Sequence, residues 1–313
     1  MRLKSTSRMN AYNVFLIIFI FALSILFFIG GPDHFVSRSA KAIWNLGHLA
    51  FFATLPLLIY SLSSVQKHKT SIQIVFLLVI TIGLGAVVEI IQYGLSRSAD
   101  LADIYRNLLG VMIAIVFFLP TRNFVSGFWQ LMLKIFVIVL FAIQLVPVAI
   151  ALIDEQQARS SFPVLSDFET RFQLSRWESS AAIGIETIDY LTGNRAMSVH
   201  LTTAQFSGAN LLYFPGEWES YEWFGFNVFN PTAELLAITC RIHDRKHTQM
   251  YQDRFNKSYE IAPGWNDITI NLEEVRQSPN NRQMDLNQIS GLGIFSSSLL
   301  QPRKILIDNL RLF

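Results

Sequence analysis

Five long apolar runs occupy the first half of the chain and constrain its fold more than any other feature. They are residues 14–30, 43–62, 72–95, 101–119 and 131–153. Since a helix rises about 1.5 Å per residue, about 20 apolar residues cross the hydrocarbon layer of a bilayer. In lipid the backbone polar groups must be satisfied within the segment, which selects helices. The sequence therefore predicts an α-helical polytopic membrane domain of five transmembrane helices over residues 1–155.

The basic residues between these runs predict the orientation. The first run resembles a signal peptide, but it is about 17 residues long and no A-x-A-like site follows, which favours an uncleaved helix. With the amino terminus in the cytoplasm, seven basic residues lie inside and four outside. The inner set is Arg2, Lys4, Arg8, Lys67, Lys69, Arg122 and Lys134, and the outer set is Arg38, Lys41, Arg97 and Arg106. This bias predicts a multi-pass membrane protein with its amino terminus in the cytoplasm and an extracytoplasmic carboxyl-terminal domain.

Polar residues interrupt the second, third and fourth runs at helical spacing. They are Asn45, His48, Glu89, Gln92, Arg97, Asp100, Asp103 and Asn107. With five spans, all of them lie toward the outer face. Intramembrane ionisable groups are rare and costly, so this polar cluster is a candidate pocket. A structural role stays open, because aspartates at 100 and 103 also suit the start of a helix.

These segments resemble the VanZ-like family of membrane proteins, named for a member linked to resistance to the glycopeptide teicoplanin. The stretches that carry the resemblance are residues 45–52, 89–92 and 97–110. The resemblance covers about residues 10–120. It implies a place in the bacterial plasma (inner) membrane and a link to glycopeptide-antibiotic tolerance, without a defined activity. An acid–base pair of His48 and Glu89 is one reading of the cluster. A metal site of His48, Glu89 and Asp103 is another, although no close-spaced ligand pair supports it.

The second half of the chain reads as a water-soluble β domain over residues 160–313. Short segments alternate apolar and polar residues between turn signals, for example 224–228, 236–242, 268–272 and 305–307. This spacing predicts an all-β jelly-roll sandwich. The single cysteine, Cys240, excludes an intramolecular disulfide. A net charge of +2 gives no indication of nucleic-acid binding.

This half resembles the galactose-binding-like jelly rolls of carbohydrate-binding and complex-assembly proteins. The segments that carry the resemblance are residues 167–169, 177, 213–218, 224–229, 243–255, 263–265 and 307–310. The long polar loop after residue 243 is the predicted binding edge. The ligand-binding candidates are His243, Asp244, Tyr251, Asp253, Arg254 and Trp218, although a core role is open for any tryptophan. Asp167, Glu169 and Asp308 are candidate ligands of a structural calcium ion, and no other cofactor is expected.

Three functions remain open on these residues. The first is a non-enzymatic envelope protein that binds membrane lipid and a cell-envelope glycan or lipid-linked precursor. The second is a membrane enzyme that acts on a glycolipid or phospholipid through Glu89 and His48. The third is a scaffold whose sandwich binds a protein. Catalysis is not assigned, and neither the ligand nor the oligomeric state follows from the sequence.

Overall fold

The computed structural model describes residues 10–28, 36–94, 101–188 and 193–313. These residues fall into two compact units, Met1–Ala149 and Ile150–Phe313. The first unit is helical and the second is mainly β-sheet. Each unit has its own apolar core.

Each of the five apolar runs contains a helix. The helices are α1 (Ala11–Phe28), α2 (Arg38–Leu62), α3 (Thr70–Gly94), α4 (Leu101–Ile113) and α5 (Phe128–Ser161). A π-helical turn, Ala114–Phe118, continues α4. Within the described residues, three helical segments are long and apolar enough to cross a membrane: Arg38–Leu62, Thr70–Ile91 and Phe128–Ser161. The apolar helical region is therefore observed, whereas the count of five spans stays a prediction.

Close packing of α2 against α4 depends on a glycine. A Cβ atom at Gly110 would lie 2.6 Å from the Leu49 carbonyl oxygen and 2.9 Å from the Ala53 backbone nitrogen. Small residues permit such backbone approach between apolar helices, where packing replaces the hydrophobic effect as the attraction. This contact brings the polar residues of the two helices to one level.

The second unit is an all-β sandwich in which every strand pairing is antiparallel. Its strands are β1 (Val164–Ser166), β2 (Trp177–Ser179), β3 (Ala182–Thr187), β4 (Arg195–Leu201), β5 (Phe206–Leu211), β6 (Trp223–Asn230), β7 (Leu236–Asp244), β8 (Phe255–Ile261), β9 (Gly264–Asn271), β10 (Ile289–Ser297) and β11 (Arg303–Leu312). One sheet has the order β3-β4-β11-β6-β9, with β1 paired to β11. The other, which we call the five-stranded sheet, has the order β2-β5-β10-β7-β8.

Strand β7 shows how the alternation positions the site. Ile238, Cys240 and Ile242 are fully buried in the core. Because side chains alternate across a strand, Arg241 and His243 point to the opposite, outer face of the five-stranded sheet. The polar members of the alternating pattern are therefore the surface residues of this sheet.

The end of α5 belongs to the sandwich unit. Ala151, Asp154 and Ala158 are buried there, and the Arg176 guanidinium donates from Nε and from a terminal nitrogen to Asp154 at 2.8–3.0 Å. Arg176 also donates to the Leu165 carbonyl oxygen at 3.1 Å. The division between the units at residues 149 and 150 lies before the predicted boundary at 155–160, and the last turns of α5 are joined to the second unit by the ion pair of Arg176 and Asp154.

Candidate functional site

Three ionisable side chains meet between α2, α3 and α4. His48, Glu89 and Asp103 each place one ligand-type atom within 4.8 Å of the other two. His48 is 3% exposed and Asp103 8%, and Glu89 is half-buried. The three residues belong to separate apolar runs, so helix packing brings them together.

Asn107 of α4 sets the direction of the imidazole ring. His48 Nδ1 lies 3.1 Å from Asn107 Oδ1, and the other ring nitrogen, Nε2, lies 3.5 Å from Asp103 Oδ2. The Phe27 ring packs on the imidazole with its centroid 4.5 Å away. A Cβ atom at Gly85 would lie 2.7 Å from Asn107 Nδ2, so a glycine makes room for this amide.

Arg106 pairs with one member of the predicted polar cluster, and the other members are only partly within the described residues. The Arg106 guanidinium donates to Asp103 Oδ1, which leaves Oδ2 directed at the imidazole. Asn45 is half-buried on α2. Gln92 lies in α3, and its side chain is outside the described part of the structure. Arg97 and Asp100 also fall outside the described residues, so their predicted place in the cluster stays a prediction.

A second candidate site lies on the outer face of the five-stranded sheet, where three outward positions carry no side chain. These positions are Gly208 on β5 and Gly291 and Gly293 on β10. A Cβ atom at Gly291 would lie 2.1 Å from the His243 ring and one at Gly293 2.5 Å from Asn210 Oδ1, so these glycines allow the two side chains to lie across the sheet. A Cβ atom at Gly208 would first meet the backbone of β10, 2.3 Å from the Ile294 carbonyl oxygen.

Asn210 and Arg241 meet across one of these glycines. Gly293 pairs with Asn210 on one side and with Arg241 on the other, and the Arg241 guanidinium donates to Asn210 Oδ1 at 2.8 Å. Its Cζ atom lies 5.6 Å from the centroid of the Phe295 ring. The Phe206 ring meets Phe295 edge-on at 5.8 Å and is 59% exposed. Two aromatic rings thus flank an oriented polar pair.

A cavity of about 170 Å³ opens at this pair and is lined in part by Arg241, Arg254, Asn210 and Phe295. Burial and the neighbouring positive charge of Arg254 lower the pKa of Arg241 below its ordinary value. A guanidinium nevertheless stays charged in proteins. Two cations therefore line a cavity of modest size.

Two of the predicted binding residues hold loops together instead. Asp244 is buried and accepts from the Arg282 guanidinium at 2.8 Å, and Asp253 accepts from Arg282 Nε at 2.6 Å. The hydrogen bonds from Arg282 and Thr248 hold the pKa of Asp253 well below its usual range. Both carboxylates are thus committed to contacts within the domain.

The other four predicted residues have different positions. Trp218 is fully buried and its indole N–H donates to the Pro215 carbonyl oxygen at 3.0 Å, so it belongs to the core and offers no ring to a ligand. Tyr251 is 69% exposed, and Arg254 lies over its ring while also lining the cavity. His243 lies on the same outer face, where burial lowers its pKa to about 4.

The three proposed calcium ligands are not brought into one cluster. Asp167 accepts from Gln173 at 2.6 Å, and Glu169 accepts from the backbone N–H of Asn194 at 2.8 Å. Asp308 Oδ2 is buried and has no hydrogen-bond partner among the described residues. Burial, with the negative charges of Asp167 and Glu169, raises the pKa of Asp308 to about 7. The calcium site therefore stays a prediction.

The sequence reading missed Phe206, Asn210, Arg241 and Phe295. A signal for them exists in the segment Gly291-Leu292-Gly293-Ile294-Phe295, where glycines take alternate positions of a strand. Glycine inside a strand weakens it and often marks a close approach. The partners across the sheet, however, depend on strand register.

No protein-family model matches the sequence, and no curated protein matches it. The sandwich half is similar to a family 11 carbohydrate-binding module from Clostridium thermocellum, solved in complex with a β-1,3-1,4-mixed-linked tetrasaccharide. That match has 19% identity and a TM-score of 0.38, and covers 48% of this chain and 94% of the module. An exo-β-agarase matches with 16% identity and a TM-score of 0.40, over 48% of this chain and 24% of the agarase. The similarity concerns the β-sandwich and assigns neither ligand nor activity.

Proposed function

We propose that this chain is a membrane-anchored glycan-binding protein. Its β-sandwich binds a carbohydrate on the outer face of the five-stranded sheet. The observation that carries the proposal is the Arg241–Asn210 pair laid across Gly293, beside the rings of Phe206 and Phe295. A sugar presents hydroxyl groups at its edges and apolar C–H groups on its faces. Oriented donors and acceptors next to aromatic rings suit both parts of such a ligand.

The charge of the cavity favours an acidic sugar. Arg241 and Arg254 both line it, and their guanidinium groups match the planar geometry of a carboxylate. Arg241 is already oriented by Asn210 and by the Phe295 ring, so little side-chain freedom is lost on binding. We therefore expect tighter binding of uronic-acid oligosaccharides than of neutral ones.

A binding screen with the full-length protein in lipid nanodiscs tests this proposal. Neutral and acidic envelope oligosaccharides are compared on an array, followed by titration of those that bind. We expect Arg241→Gln to weaken binding at least tenfold. Arg311→Gln is a matched control, because Arg311 also lies over an aromatic ring, that of Phe313, but belongs to the other sheet. Absence of binding to any sugar refutes the proposal and favours a protein partner.

We also propose that the protein lies in a bacterial plasma membrane, with its amino terminus in the cytoplasm and the sandwich outside. The three long apolar helices and the seven-to-four bias of basic residues support this orientation. A reporter that is active only outside the cytoplasm, fused after Phe313, should be active. Activity of a cytoplasm-specific reporter at the same position contradicts the orientation.

For the helical half we propose membership of the VanZ-like family and a contribution to tolerance of glycopeptide antibiotics. The proposal rests on the motif resemblance, and the convergence of His48, Glu89, Asp103 and Asn107 supports it as a shared site. Glu89→Gln should abolish the tolerance phenotype at normal membrane abundance if these residues bind or transform a lipid-linked ligand. Reduced abundance with unchanged tolerance per molecule supports a structural role instead.

A further inference from the structure

We infer that His48, Glu89 and Asp103 form a binding site for a first-row divalent metal ion, with Zn²⁺ or Mn²⁺ as the fitting ions. The three residues come from α2, α3 and α4, and their ligand atoms lie within 4.8 Å of one another. One imidazole nitrogen with two carboxylate oxygens is a donor set that suits these ions.

The separation of two donor atoms matches a coordination sphere. His48 Nε2 and Asp103 Oδ2 are 3.5 Å apart. Two ligands on a tetrahedral ion at about 2.1 Å are separated by about 3.4 Å. An ion placed between these atoms needs little movement of either side chain.

The surrounding contacts select the atoms that would bind the ion. Since Asn107 Oδ1 accepts from His48 Nδ1, the lone pair of a neutral imidazole is on Nε2, which faces the Asp103 carboxylate. A cation or a proton between these two electron-rich atoms is electrostatically favourable in a buried site. An outer partner that fixes the histidine tautomer is the usual support of a metal-binding imidazole.

The charge and shape of the site agree with this inference. The Arg106 guanidinium takes Asp103 Oδ1, which leaves Oδ2 for the ion. Among the described residues of the site, Glu89 is half-buried whereas His48 and Asp103 are buried, so Glu89 lies on the less enclosed side. Three protein ligands with an open position are typical of zinc sites that accept water or a substrate oxygen.

The experiment uses the full-length protein, tag removed, in nanodiscs. After chelator treatment and its removal, binding of Zn²⁺ and Mn²⁺ is measured by calorimetry and by elemental analysis after gel filtration. We expect one ion per chain and a rise in the unfolding temperature on Zn²⁺ addition. A folded wild-type protein that binds less than one ion per chain and shows no such rise overturns the inference. That outcome would assign a proton to the space between His48 and Asp103.

Metal binding by single-residue variants tests which side chains hold the ion. Glu89→Gln and Asp103→Asn should each lose binding by more than tenfold, and Asn107→Ala by about ten- to a hundredfold, because Asn107 only orients His48. Asn107→Asp retains an acceptor for Nδ1 and should restore binding. The matched control is His68→Gln, since His68 is an exposed histidine of the same helical unit, beyond the end of α2. Equal binding by wild type and the ligand variants, or loss in His68→Gln alone, overturns the site.

Discussion

The helical unit and the sandwich both contain an asparagine side chain packed over a glycine, but one pair is buried between helices and the other lies on the outer face of a sheet. Asn107 lies over Gly85 between helices, and Asn210 lies over Gly293 on an open sheet face. In each case a side chain at the glycine position would displace the amide. Each amide in turn accepts a hydrogen bond from a basic side chain. The same asparagine–glycine arrangement thus orients a basic side chain in a buried site and in an exposed one.

The difference in burial decides which chemistry each site supports. His48 is almost fully buried and can be neutral, so it can offer a lone pair. Arg241 keeps its charge and faces a cavity, so it can only donate hydrogen bonds. The interior site therefore suits a cation, and the sheet face suits an acidic ligand.

The largest expected change in stability comes from the buried ion pair between Arg176 and Asp154, which joins the end of α5 to the sandwich unit. Arg176→Met should lower the free energy of unfolding of the sandwich by about 3–5 kcal/mol, because it leaves buried Asp154 without its ion-pair partner. Chemical unfolding of the full-length protein in detergent measures this. The control is Arg159→Met, because Arg159 is exposed and lies near the end of α5, the helix that contains Asp154. An equal loss of unfolding free energy in both variants would show that the ion pair does not join the end of α5 to the sandwich.

Calcium tests whether the sandwich also contains a cation site. If Asp308 is a ligand, Ca²⁺ at a hundredfold excess over its Kd should stabilise the sandwich by about 3 kcal/mol. The rise in unfolding temperature should be absent in Asp308→Asn. If the unfolding temperature of the wild-type protein does not change with Ca²⁺, the sandwich has no calcium site at Asp308.

Helix packing is tested by two glycines of the helical unit. Gly110→Ala should lower stability by about 1–3 kcal/mol, because its Cβ would meet the backbone of α2, which cannot move aside. Gly83→Ala should have little effect, since no described atom outside its own stretch of helix lies within 4 Å of the added Cβ. Thermal unfolding in detergent compares them. Similar unfolding temperatures would show that α2 and α4 are not held at this distance.

The smallest effect is a pH dependence on the sheet face. Burial lowers the pKa of His243 to about 4 in the folded protein, below the ordinary value of 6.5, so the unfolded chain binds more protons between these values. Sandwich stability should therefore fall as the pH falls through this window, by about 1 kcal/mol from pH 6.5 to 5.5. His243→Gln should remove this component of the pH profile. An identical profile for both proteins contradicts the burial of the imidazole.

Local patterns were sufficient to predict part of the molecule. The apolar runs predicted a helix in each, and the alternation at 236–242 predicted a strand, which the structure has as β7. Helical spacing also placed Asp103 and Asn107 on one face of α4, where both are buried. Such periodicities depend on residues that are near in sequence, so the chain alone determines them.

The polar loop after residue 243 contains contacts that local sequence patterns do not predict. Asp244 and Asp253 look like free ligands in the sequence, but both bind Arg282 from a distant loop. Likewise, the row of Asn210, Gly293 and Arg241 exists only through the register of three strands. A shift of one residue would send these side chains into the core.

The sequence by itself determined an apolar helical half, a β-sandwich half, and the polar residues that each contains. Only the tertiary structure decided that His48, Glu89 and Asp103 share one site and that the sheet face carries the sandwich cavity. The physical reason is that amphipathic periodicity is a local property. Contacts between His48 and Asn107, 59 residues apart, depend instead on how closely glycines let whole helices approach.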